Sequence, residues 1–454
     1  LPSIRRLLNS CRMTTQSAVQ KMNRIALIVP SFPKLSETFI VSKFLGLLAR
    51  GWDVHVVCSQ SEPKEWKNFP ELTKRADIRK HVHVVWRTQP RWLAAILMPL
   101  ALIRCFLRHP KGTWHYLSKG RKRWGMDNLR RLYLDAELLL LRPDVIHFEF
   151  GALAVGRMSV KDLLGCKVIV SFRGYDLNYV GLEDPQYYRE VWEHADALHL
   201  LGEDLWKRAQ RRGCPSEKLY ALIPPAIDTG FFDPGGRSHS EQTGTSERPL
   251  RILSVGRLDW RKGYEYALQA VRLLKEYGIC YEYRIVGDGD YLEPIAFARY
   301  QLGLEKVVHF LGAQPREEVR KQMLWADVFL HAAVSEGFCN AVIEAQAMKL
   351  PVVCTDAGGL PENVADGETG FVVPRRNPKA LAEKLMLLAK DVSLRQQMGE
   401  KGRKRVLTKF RLDAQIAAFE RLYCQVLGMN LEQTQADTLG QELTRGVMEH
   451  VRAD

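Results

Sequence analysis

The sequence predicts an α/β protein built from two doubly wound, Rossmann-like domains with a cleft between them. Short apolar segments rich in β-branched residues recur along the chain, as expected for strands buried on both faces of a parallel sheet. Segments of helical character separate them, which is typical of βαβ units. A stretch rich in proline, glycine and small polar residues interrupts this alternation over 224–249, and the alternation then resumes. The sequence therefore favours two sheets over one large sheet.

The first domain is predicted over residues 23–226. It opens with a strand over 24–30 and a helix for which Ser36 is a credible N-cap. Gly51 ends that helix before a second strand. The predicted strands after the first are 53–58, 143–148, 167–171, 197–201 and 219–223.

A linker with a disordered loop is predicted over 227–249, and the second domain over 250–410. Its predicted strands are 250–255, 281–286, 307–310, 328–331, 351–354 and 370–373. Helical segments are predicted near 378–408 and over 411–428, the latter a candidate to pack back on the first domain, and 429–454 is predicted to be a mobile tail. Ligands of such sheets bind beyond the carboxyl ends of the strands, so functional residues are expected just after strands.

Composition narrows the functional classes. The 454 residues include 66 Lys and Arg against 52 Asp and Glu, a net charge of +14, which points to polyanions: nucleic acid, an anionic membrane face or phosphorylated substrates. Nine scattered cysteines indicate free thiols in a reducing, cytoplasmic setting. No apolar run reaches the roughly 18 residues of a transmembrane helix. Residues 1–22 are interpreted as a flexible basic arm, with a transit peptide as the open alternative.

Two cations follow the first strand of the second domain. In Val255-Gly-Arg-Leu-Asp-Trp-Arg-Lys-Gly263, Gly256 permits a tight turn, and Arg257 and Lys262 are placed to hold a diphosphate. The alternative is a solvated basic loop.

The segment 335–344 is predicted to pass from a loop into a helix. Gly337 permits a ligand to approach the backbone, and the amides that follow would form a phosphate seat at the helix N-terminus. Glu336 would precede the helix and Glu344 would lie inside it; the alternative is a capping residue and a surface residue. The amides of the predicted seat belong to Phe338, Cys339, Asn340 and Ala341.

Asp288 and Asp290 form an Asp-x-Asp pair, which alone would suggest a metal beside a diphosphate. The segment reads better as strand, glycine turn and helix, where both carboxylates suit the turn. The full Gly-x-Gly-x-x-Gly fingerprint is absent, so a nicotinamide cofactor is weakly supported. We expect neither a metal nor a cofactor.

Six motifs in order give the second half a family resemblance. It resembles the retaining glycosyltransferases of family 4, whose architecture is the two-Rossmann GT-B fold, and the spacing of Glu336 and Glu344 matches the glutamate-x7-glutamate signature of that family. Segments 31–40, 147–151 and 171–176 look like the branch that builds exopolysaccharide and lipopolysaccharide outer core. Many relatives carry His at the place of Arg173, and usually a small residue and Gly at Lys349-Leu350. The six motifs span 255–263, 308–312, 336–345, 351–353, 358–362 and 367–371.

The resemblance implies a metal-independent, retaining hexosyltransferase that moves a sugar from a nucleotide-diphosphate sugar to a glycan or lipid-linked acceptor. Arg257 and Lys262 would neutralise the diphosphate, Glu336 would face the sugar, and Glu344 would bind the ribose. The backbone around Val308 and Phe310 would hold the base. The resemblance also implies that the first domain binds the acceptor and that the second domain, over 250–410, binds the nucleotide-sugar. The acceptor-side candidates are Ser36, Glu37, Thr38, Arg173 and Asp176.

Residues 87–131 combine many cations with interleaved aromatic residues, which suits an anionic bilayer surface or nucleic acid. A solvated helical face is the third alternative. The resemblance favours peripheral contact with the inner face of a membrane, and no nucleic acid is expected. Two other functional classes stay open: a nucleotide-sugar epimerase of the same architecture, and a nucleic-acid-binding protein suggested by charge alone.

Overall fold

The computed structural model describes residues 23–34, 37–75, 77–86, 89–236 and 242–429. It contains one seven-stranded and one six-stranded sheet, both entirely parallel. This confirms the predicted fold class of two doubly wound α/β domains. Ser36, the arm over 1–22 and the tail beyond Met429 lie outside the described residues, as do 237–241 of the predicted linker.

The first sheet has the order β3-β2-β1-β4-β5-β6-β7. The chain order reverses between β1 and β4, where an open sheet leaves a crevice at the carboxyl ends of its strands. These strands are β1 Arg24–Ser31, β2 Asp53–Gln60, β3 Val82–Val84, β4 Val145–Phe148, β5 Lys167–Phe172, β6 Ala197–Leu200 and β7 Tyr220–Leu222.

The second sheet has the order β10-β9-β8-β11-β12-β13, with the equivalent reversal between β8 and β11. All of its strands were predicted, and β11 and β12 are short runs buried at every position, as expected in a parallel sheet covered on both faces. They are β8 Leu250–Val255, β9 Tyr281–Val286, β10 Val308–Phe310, β11 Val328–His331, β12 Val352–Thr355 and β13 Gly370–Val373.

Helices flank both sheets, and short 3-10 turns lie at Ile78–His81 and Trp260–Lys262. In the first domain the helices are α1 Thr38–Ala49, α2 Pro63–Trp66, α3 Pro70–Thr73, α4 Arg91–Arg108, α5 Pro110–Trp124, α6 Asp127–Leu141, α7 Gly151–Ala154, α8 Val160–Leu164, α9 Gly174–Tyr179, α10 Arg189–His194 and α11 Glu203–Arg211. Those that follow are α12 Tyr264–Glu276, α13 Leu292–Gln301, α14 Arg316–Trp325, α15 Asn340–Ala347, α16 Leu360–Asn363, α17 Pro378–Lys390, α18 Val392–Lys409 and α19 Leu412–Leu427.

The helical segment predicted near 378–408 consists of two helices, α17 and α18. Asp391 separates them in an extended conformation, and its side chain accepts a hydrogen bond from the Leu394 amide at 2.8 Å. An aspartate at such a position caps the new helix and competes with continuation of the preceding one. Part of the predicted linker is also structured, because the carbonyl of Gly244 accepts the Cys280 amide at 2.9 Å.

The terminal helix α19 packs into the core of the first domain. Phe419 and Tyr423 are buried there beside residues of α1 and β1. Arg50 forms an ion pair with Glu420, whose second carboxylate oxygen accepts the Trp52 indole N–H at 2.9 Å. The chain therefore crosses from the first domain to the second and returns.

Helices α4, α5 and α6 form a satellite cluster outside the first sheet, with its own small core around Tyr116 and Tyr133. Within the described ranges, no helix combines the length and apolar character needed to cross a bilayer.

Candidate active site

A cleft of about 460 Å³ separates the two domains. It lies beyond the carboxyl ends of β5, β8 and β11, as expected for this class of sheet. The structure brings most of the predicted second-domain residues to its wall, together with Arg173 from the first domain. The second-domain lining is Val255, Gly256, Arg257, Asp259, Arg261, Lys262, Ser335, Glu336, Gly337, Phe338, Cys339, Asn340 and Ala341.

Glu336 lies at the centre of the second-domain wall, between two cationic groups. Its carboxylate forms an ion pair with Lys262 and also contacts His331 Nε2 at 3.2 Å. The other oxygen accepts the Gly337 amide at 3.3 Å. Lys262 ends the 3-10 turn after β8, and His331 ends β11, so two strand ends converge on one carboxylate.

These contacts set the protonation states of the group. Burial alone would raise the pKa of Glu336, but the charge of Lys262 and the hydrogen bond from His331 outweigh it and lower that pKa to about 2. Burial disfavours the protonated form of His331, yet neighbouring Cys339 and Glu336 raise the pKa of the imidazole to about 9. Glu336 is therefore an ionised carboxylate near neutral pH and is not a proton donor.

The predicted phosphate seat lies at the start of α15. Cys339 is the residue before the helix, and its amide already donates to Asn363 Oδ1 at 3.2 Å. The amides of Asn340 and Ala341 belong to the first turn, where no intrahelical carbonyl is available to them. The Cys339 amide is therefore already occupied and does not belong to the phosphate seat. Its bond to Asn363 fixes the position of the start of the helix.

Of the two cations predicted to hold a diphosphate, Arg257 is exposed and Lys262 is half-buried; both line the cleft. Arg261 is a third cation there, which the sequence analysis did not select. Its Nε donates to Asp259 at 2.7 Å, and its guanidinium lies 5.1 Å from the Tyr179 ring centroid. It joins the turn after β8 to α9 of the first domain.

The first-domain wall carries a buried ion triad. Arg173 Nη2 donates to Glu149 Oε2 at 3.0 Å, and Lys43 Nζ donates to Glu149 Oε1 at 2.5 Å. Burial lowers the pKa of Lys43 to about 8 even though Glu149 opposes that shift. Lys43 also lies 3.8 Å from the Phe419 ring centroid. Arg173 and Lys43 face the cleft, while Glu149 holds both from behind.

Below the triad, buried polar groups form a continuous chain. His147 Nδ1 lies 2.8 Å from the Tyr423 hydroxyl, and His147 Nε2 lies 2.8 Å from Ser171 Oγ. Ser171 contacts His199 Nδ1 at 2.7 Å, and His199 reaches the carbonyl of Ile223 at 2.9 Å. The pKa of His147 is lowered, mainly by burial, so the ring is neutral.

Several predicted site residues lie away from the cleft wall. Glu344 is on α15, half-buried, with a pKa raised to about 7 by burial. The carbonyl of Val308 accepts a hydrogen bond from Arg299 at 3.1 Å, and Phe310 packs under the same guanidinium. These three lie outside the residues that line the cleft.

The acceptor-side candidates also divide into residues that line the cleft and residues that do not. Arg173 lines the cleft, whereas Asp176 is buried and accepts the amides of Arg173 and Ala152 at 3.0 and 3.1 Å. Glu37 precedes α1 and pairs with Lys34 at 3.2 Å, and Thr38 is the first residue of α1.

Sequence reasoning missed Lys43, Glu149 and His331. Two signals were present: a lysine on the otherwise apolar face of α1, and a glutamate directly after the buried strand β4. A charged residue at such a position is rarely buried unless it is paired.

The two domains meet backbone to backbone beside the cleft. A Cβ placed on Gly337 would lie 2.6 Å from the Cα of Gly174, and one on Gly174 would lie 2.7 Å from the Cα of Gly337. Asn178 donates to Ser335 Oγ at 3.3 Å at the same point.

Two family models match the chain. Residues 237–405 match the model described as glycosyl transferases group 1, and residues 37–225 match a glycosyl transferase 4-like domain. WcaL of Escherichia coli strain K12, named as a colanic acid biosynthesis glycosyltransferase, is 30% identical over 390 residues, which cover 80% of this chain and 89% of WcaL. The amylovoran biosynthesis glycosyltransferase AmsK of Erwinia amylovora is 29% identical over 81% of this chain and 90% of AmsK.

Solved structures share the fold. A glycosyltransferase from Rickettsia africae superposes with a TM-score of 0.64 at 17% identity, covering 90% of this chain and 99% of that one. Anabaena HepE, solved in complex with UDP-glucose, superposes with a TM-score of 0.64 at 16% identity, covering 88% of this chain and 99% of HepE.

Proposed function

The chain belongs to the group 1 glycosyl transferases, of the exopolysaccharide type, and on that premise we propose that it moves a hexose from a nucleotide-diphosphate sugar to a glycan or lipid-linked acceptor. We propose further that transfer retains the anomeric configuration and requires no metal. The observation that carries the proposal is the convergence of Lys262, Glu336 and the start of α15 on one wall of the interdomain cleft.

The donor half of the proposal rests on charge. A leaving nucleotide diphosphate gains negative charge as the glycosidic bond to phosphate breaks. Arg257, Lys262 and the first-turn amides of α15 lie on the wall where that charge would develop, and fixed donors of this kind are worth about 3–4 kcal/mol each in a transition state. HepE, which shares the fold, is solved with UDP-glucose. The positive charge of these residues could neutralise the diphosphate, which a metal ion would otherwise have to do.

The retaining half rests on the state of Glu336. Its carboxylate is held by Lys262 and His331, which makes it a weak nucleophile but a suitable countercharge for a cationic sugar. We therefore favour attack from the face that the diphosphate leaves. The bond from the anomeric carbon to the phosphate oxygen breaks with its electron pair, the acceptor oxygen bonds to that carbon, and the acceptor proton passes to the departing phosphate oxygen.

A donor screen tests this proposal. UDP- and GDP-hexoses are titrated by calorimetry into the full chain, and turnover is measured with and without glycan acceptors. Glu336→Gln should retain donor binding and lose about 100-fold or more in transfer rate, whereas Lys262→Ala should weaken both. Lys275→Ala, an exposed lysine on α12, is the matched control and should resemble the wild type.

Three outcomes would contradict the assignment. Full transfer activity in Glu336→Gln would remove the role of that residue. A trapped covalent glycosyl adduct on Glu336 would replace same-face attack with double displacement. Epimerisation of the donor without any acceptor would identify an epimerase.

The part of the proposal that concerns the acceptor includes contact with a membrane. One face of α4 exposes an apolar stripe at helical spacing, which is unusual for a solvated helix. Trp92 is 65% exposed and Leu107 is 80% exposed, and Trp114 on α5 is 69% exposed. The stripe comprises Trp92, Ile96, Leu100, Ile103 and Leu107.

Exposed cations flank this stripe, at Arg91 and Arg108 on α4 and at Lys111 and Arg121–Arg123 on α5. An apolar face bordered by basic residues is the composition of helices that lie in the interface of an anionic bilayer. Each cation near such a surface contributes about 1 kcal/mol. We propose that α4 rests on an anionic membrane and brings a lipid-linked acceptor toward the first-domain side of the cleft.

A further inference from the structure

A cluster of three histidines and an aspartate lies on the first domain, among residues that do not line the cleft. Asp53 and His55 are separated by one residue on β2, and His81 and His83 are separated by one residue at β3. Alternate residues of a strand share a face. Val56 pairs with Val82 in parallel register, so His81 lies beside His55.

The side chains of this cluster are in direct contact. His55 Nε2 lies 2.9 Å from Asp53 Oδ1, and His55 Nδ1 lies 2.9 Å from His83 Nε2. The rings of His55 and His81 stack with centroids 4.8 Å apart. One ligand atom from each of Asp53, His55 and His81 falls within 4.8 Å of the other two.

Hydrogen bonds prepare these rings for ligation. His81 Nδ1 lies 2.9 Å from the carbonyl of Val54, which can only accept, so this nitrogen carries the proton and Nε2 keeps its lone pair. Metal-ligating histidines are typically oriented by such a bond.

We propose that Asp53, His55 and His81 bind a divalent transition-metal ion of the zinc class. Imidazole nitrogens with one carboxylate oxygen suit borderline ions of this kind better than Mg²⁺ or Ca²⁺. Arg24 holds the second oxygen of Asp53 at 2.6 Å, which leaves one oxygen for the ion. The bound ion would tie the short edge strand β3 to β2, independently of the transfer reaction.

Charges of both signs surround the cluster, since Arg24 pairs with Asp53 and Arg104 pairs with Glu137. Glu137 Oε2 on α6 lies 4.0 Å from His83 Nδ1, on the side away from His55. The side chains of His55 and His83 are 12% and 25% exposed, so an ion can reach them.

A second group in the described part of the chain, His331, Glu336 and Cys339, also has ligand atoms within 4.8 Å of one another. It lies in the cleft, where Lys262 already pairs with the carboxylate. It is therefore the competing site that an experiment must separate from the histidine cluster.

The test measures Zn²⁺ binding to the full chain, prepared without a histidine tag, by competition with a chelating dye and by metal analysis after dialysis. The wild type should retain one Zn²⁺ per chain. His81→Ala, His81→Gln and the double variant His55→Ala/His81→Ala should each bind more than about 100-fold more weakly, since even the loss of an outer-shell partner costs about 10–100-fold. Co²⁺ substitution should give the visible absorption of a tetrahedral site in the wild type only.

Two controls decide between the sites. His115→Ala removes an exposed histidine on α5, and Cys339→Ser removes a ligand of the cleft group; both should bind Zn²⁺ like the wild type. Unchanged affinity in the double variant, or loss of binding in Cys339→Ser, would overturn the proposal. His81→Gln keeps a polar side chain of similar size, so weakened binding in a variant with wild-type circular dichroism reports the ligand rather than the fold.

Discussion

Lys262 and Glu336 form an ion pair at the cleft wall. Under the proposed function, the diphosphate of the donor would compete with Glu336 for Lys262. The neighbouring His331 contacts the same carboxylate, and Cys339 together with Glu336 raises the pKa of its imidazole to about 9.

This arrangement predicts a pH-dependent contribution of His331 to stability. Its pKa in the folded protein is about 9, against about 6.5 in an unfolded chain, so the contribution is complete below about pH 6.5 and is lost as the pH rises through 9. The difference in unfolding free energy between wild type and His331→Gln should fall by something on the order of 3 kcal/mol over that interval. Urea unfolding at pH 6.5, 7.5 and 9 measures it, and a constant difference would contradict the assignment.

Residues at motif positions could be predicted, because Arg257, Lys262 and Glu336 depend on local loops after single strands. Arg173 was predicted as an acceptor-side candidate, but the triad that it forms with Lys43 and Glu149 could not be predicted. Its members come from α1, the end of β4 and the end of β5, which meet only once the sheet order is known. His331 was missed for another reason: it is the last residue of the buried strand β11, and nothing in the strand pattern marks it as a partner of Glu336.

Among the elements, α4 has the most distinctive surface. If its apolar stripe enters a bilayer, Leu100→Glu/Ile103→Glu should reduce co-sedimentation with phosphatidylglycerol-containing vesicles by roughly tenfold or more, because two carboxylates would be moved into the interface. Phe297→Glu, at a residue 60% exposed on α13, is the matched control and should sediment like the wild type.

High salt separates the two contributions to membrane binding. Salt should weaken the cationic contribution and leave the apolar contribution in place. Equal sedimentation of Leu100→Glu/Ile103→Glu and the wild type, at low and at high salt concentration, would exclude α4 as the membrane contact.

The helix α19 contributes to the core of a domain remote in sequence. Phe419 is 2% exposed and contacts the rings of His147 and His199 with centroids 6.0 and 4.8 Å apart. Phe419→Ala should cost about 3–5 kcal/mol of unfolding free energy through the cavity it leaves. Denaturant unfolding followed by fluorescence measures the loss, with Leu407→Ala, a 40% exposed site on α18, as the control.

Elements of the second domain were predictable because buried strands and helices alternate there without insertions. The edge strand β3 was missed, since three partly exposed residues carry too little periodicity to be recognised. The break between α17 and α18 was missed because a single aspartate decides it, while the residues on both sides favour helix.

At the scale of the whole molecule, the contact between Gly174 and Gly337 sets how closely the domains approach. Gly174→Ala would place a methyl group 2.7 Å from the opposing backbone, which cannot yield as a flexible side chain would. We expect the domains to separate slightly, transfer activity to fall at least about tenfold because misplacement by about 1 Å is costly in catalysis, and stability to change little.

Small-angle scattering and steady-state kinetics measure these effects. Gly236→Ala is the control, because a Cβ there meets no atom within 4 Å. Wild-type kinetics in Gly174→Ala would show that the domains need not approach this closely during turnover.

The double passage of the chain between the domains has a mechanical consequence. The outward crossing near Ile227 and the return crossing at Arg411 are bridged, with the Ile227 amide bonded to the carbonyl of Phe410 at 3.1 Å. Because the two connections lie side by side, we expect them to allow the domains to open and close about this point. We expect them to oppose rotation and sliding of one domain against the other. A single proteolytic nick in the outward tether would accordingly leave the two halves joined and aligned.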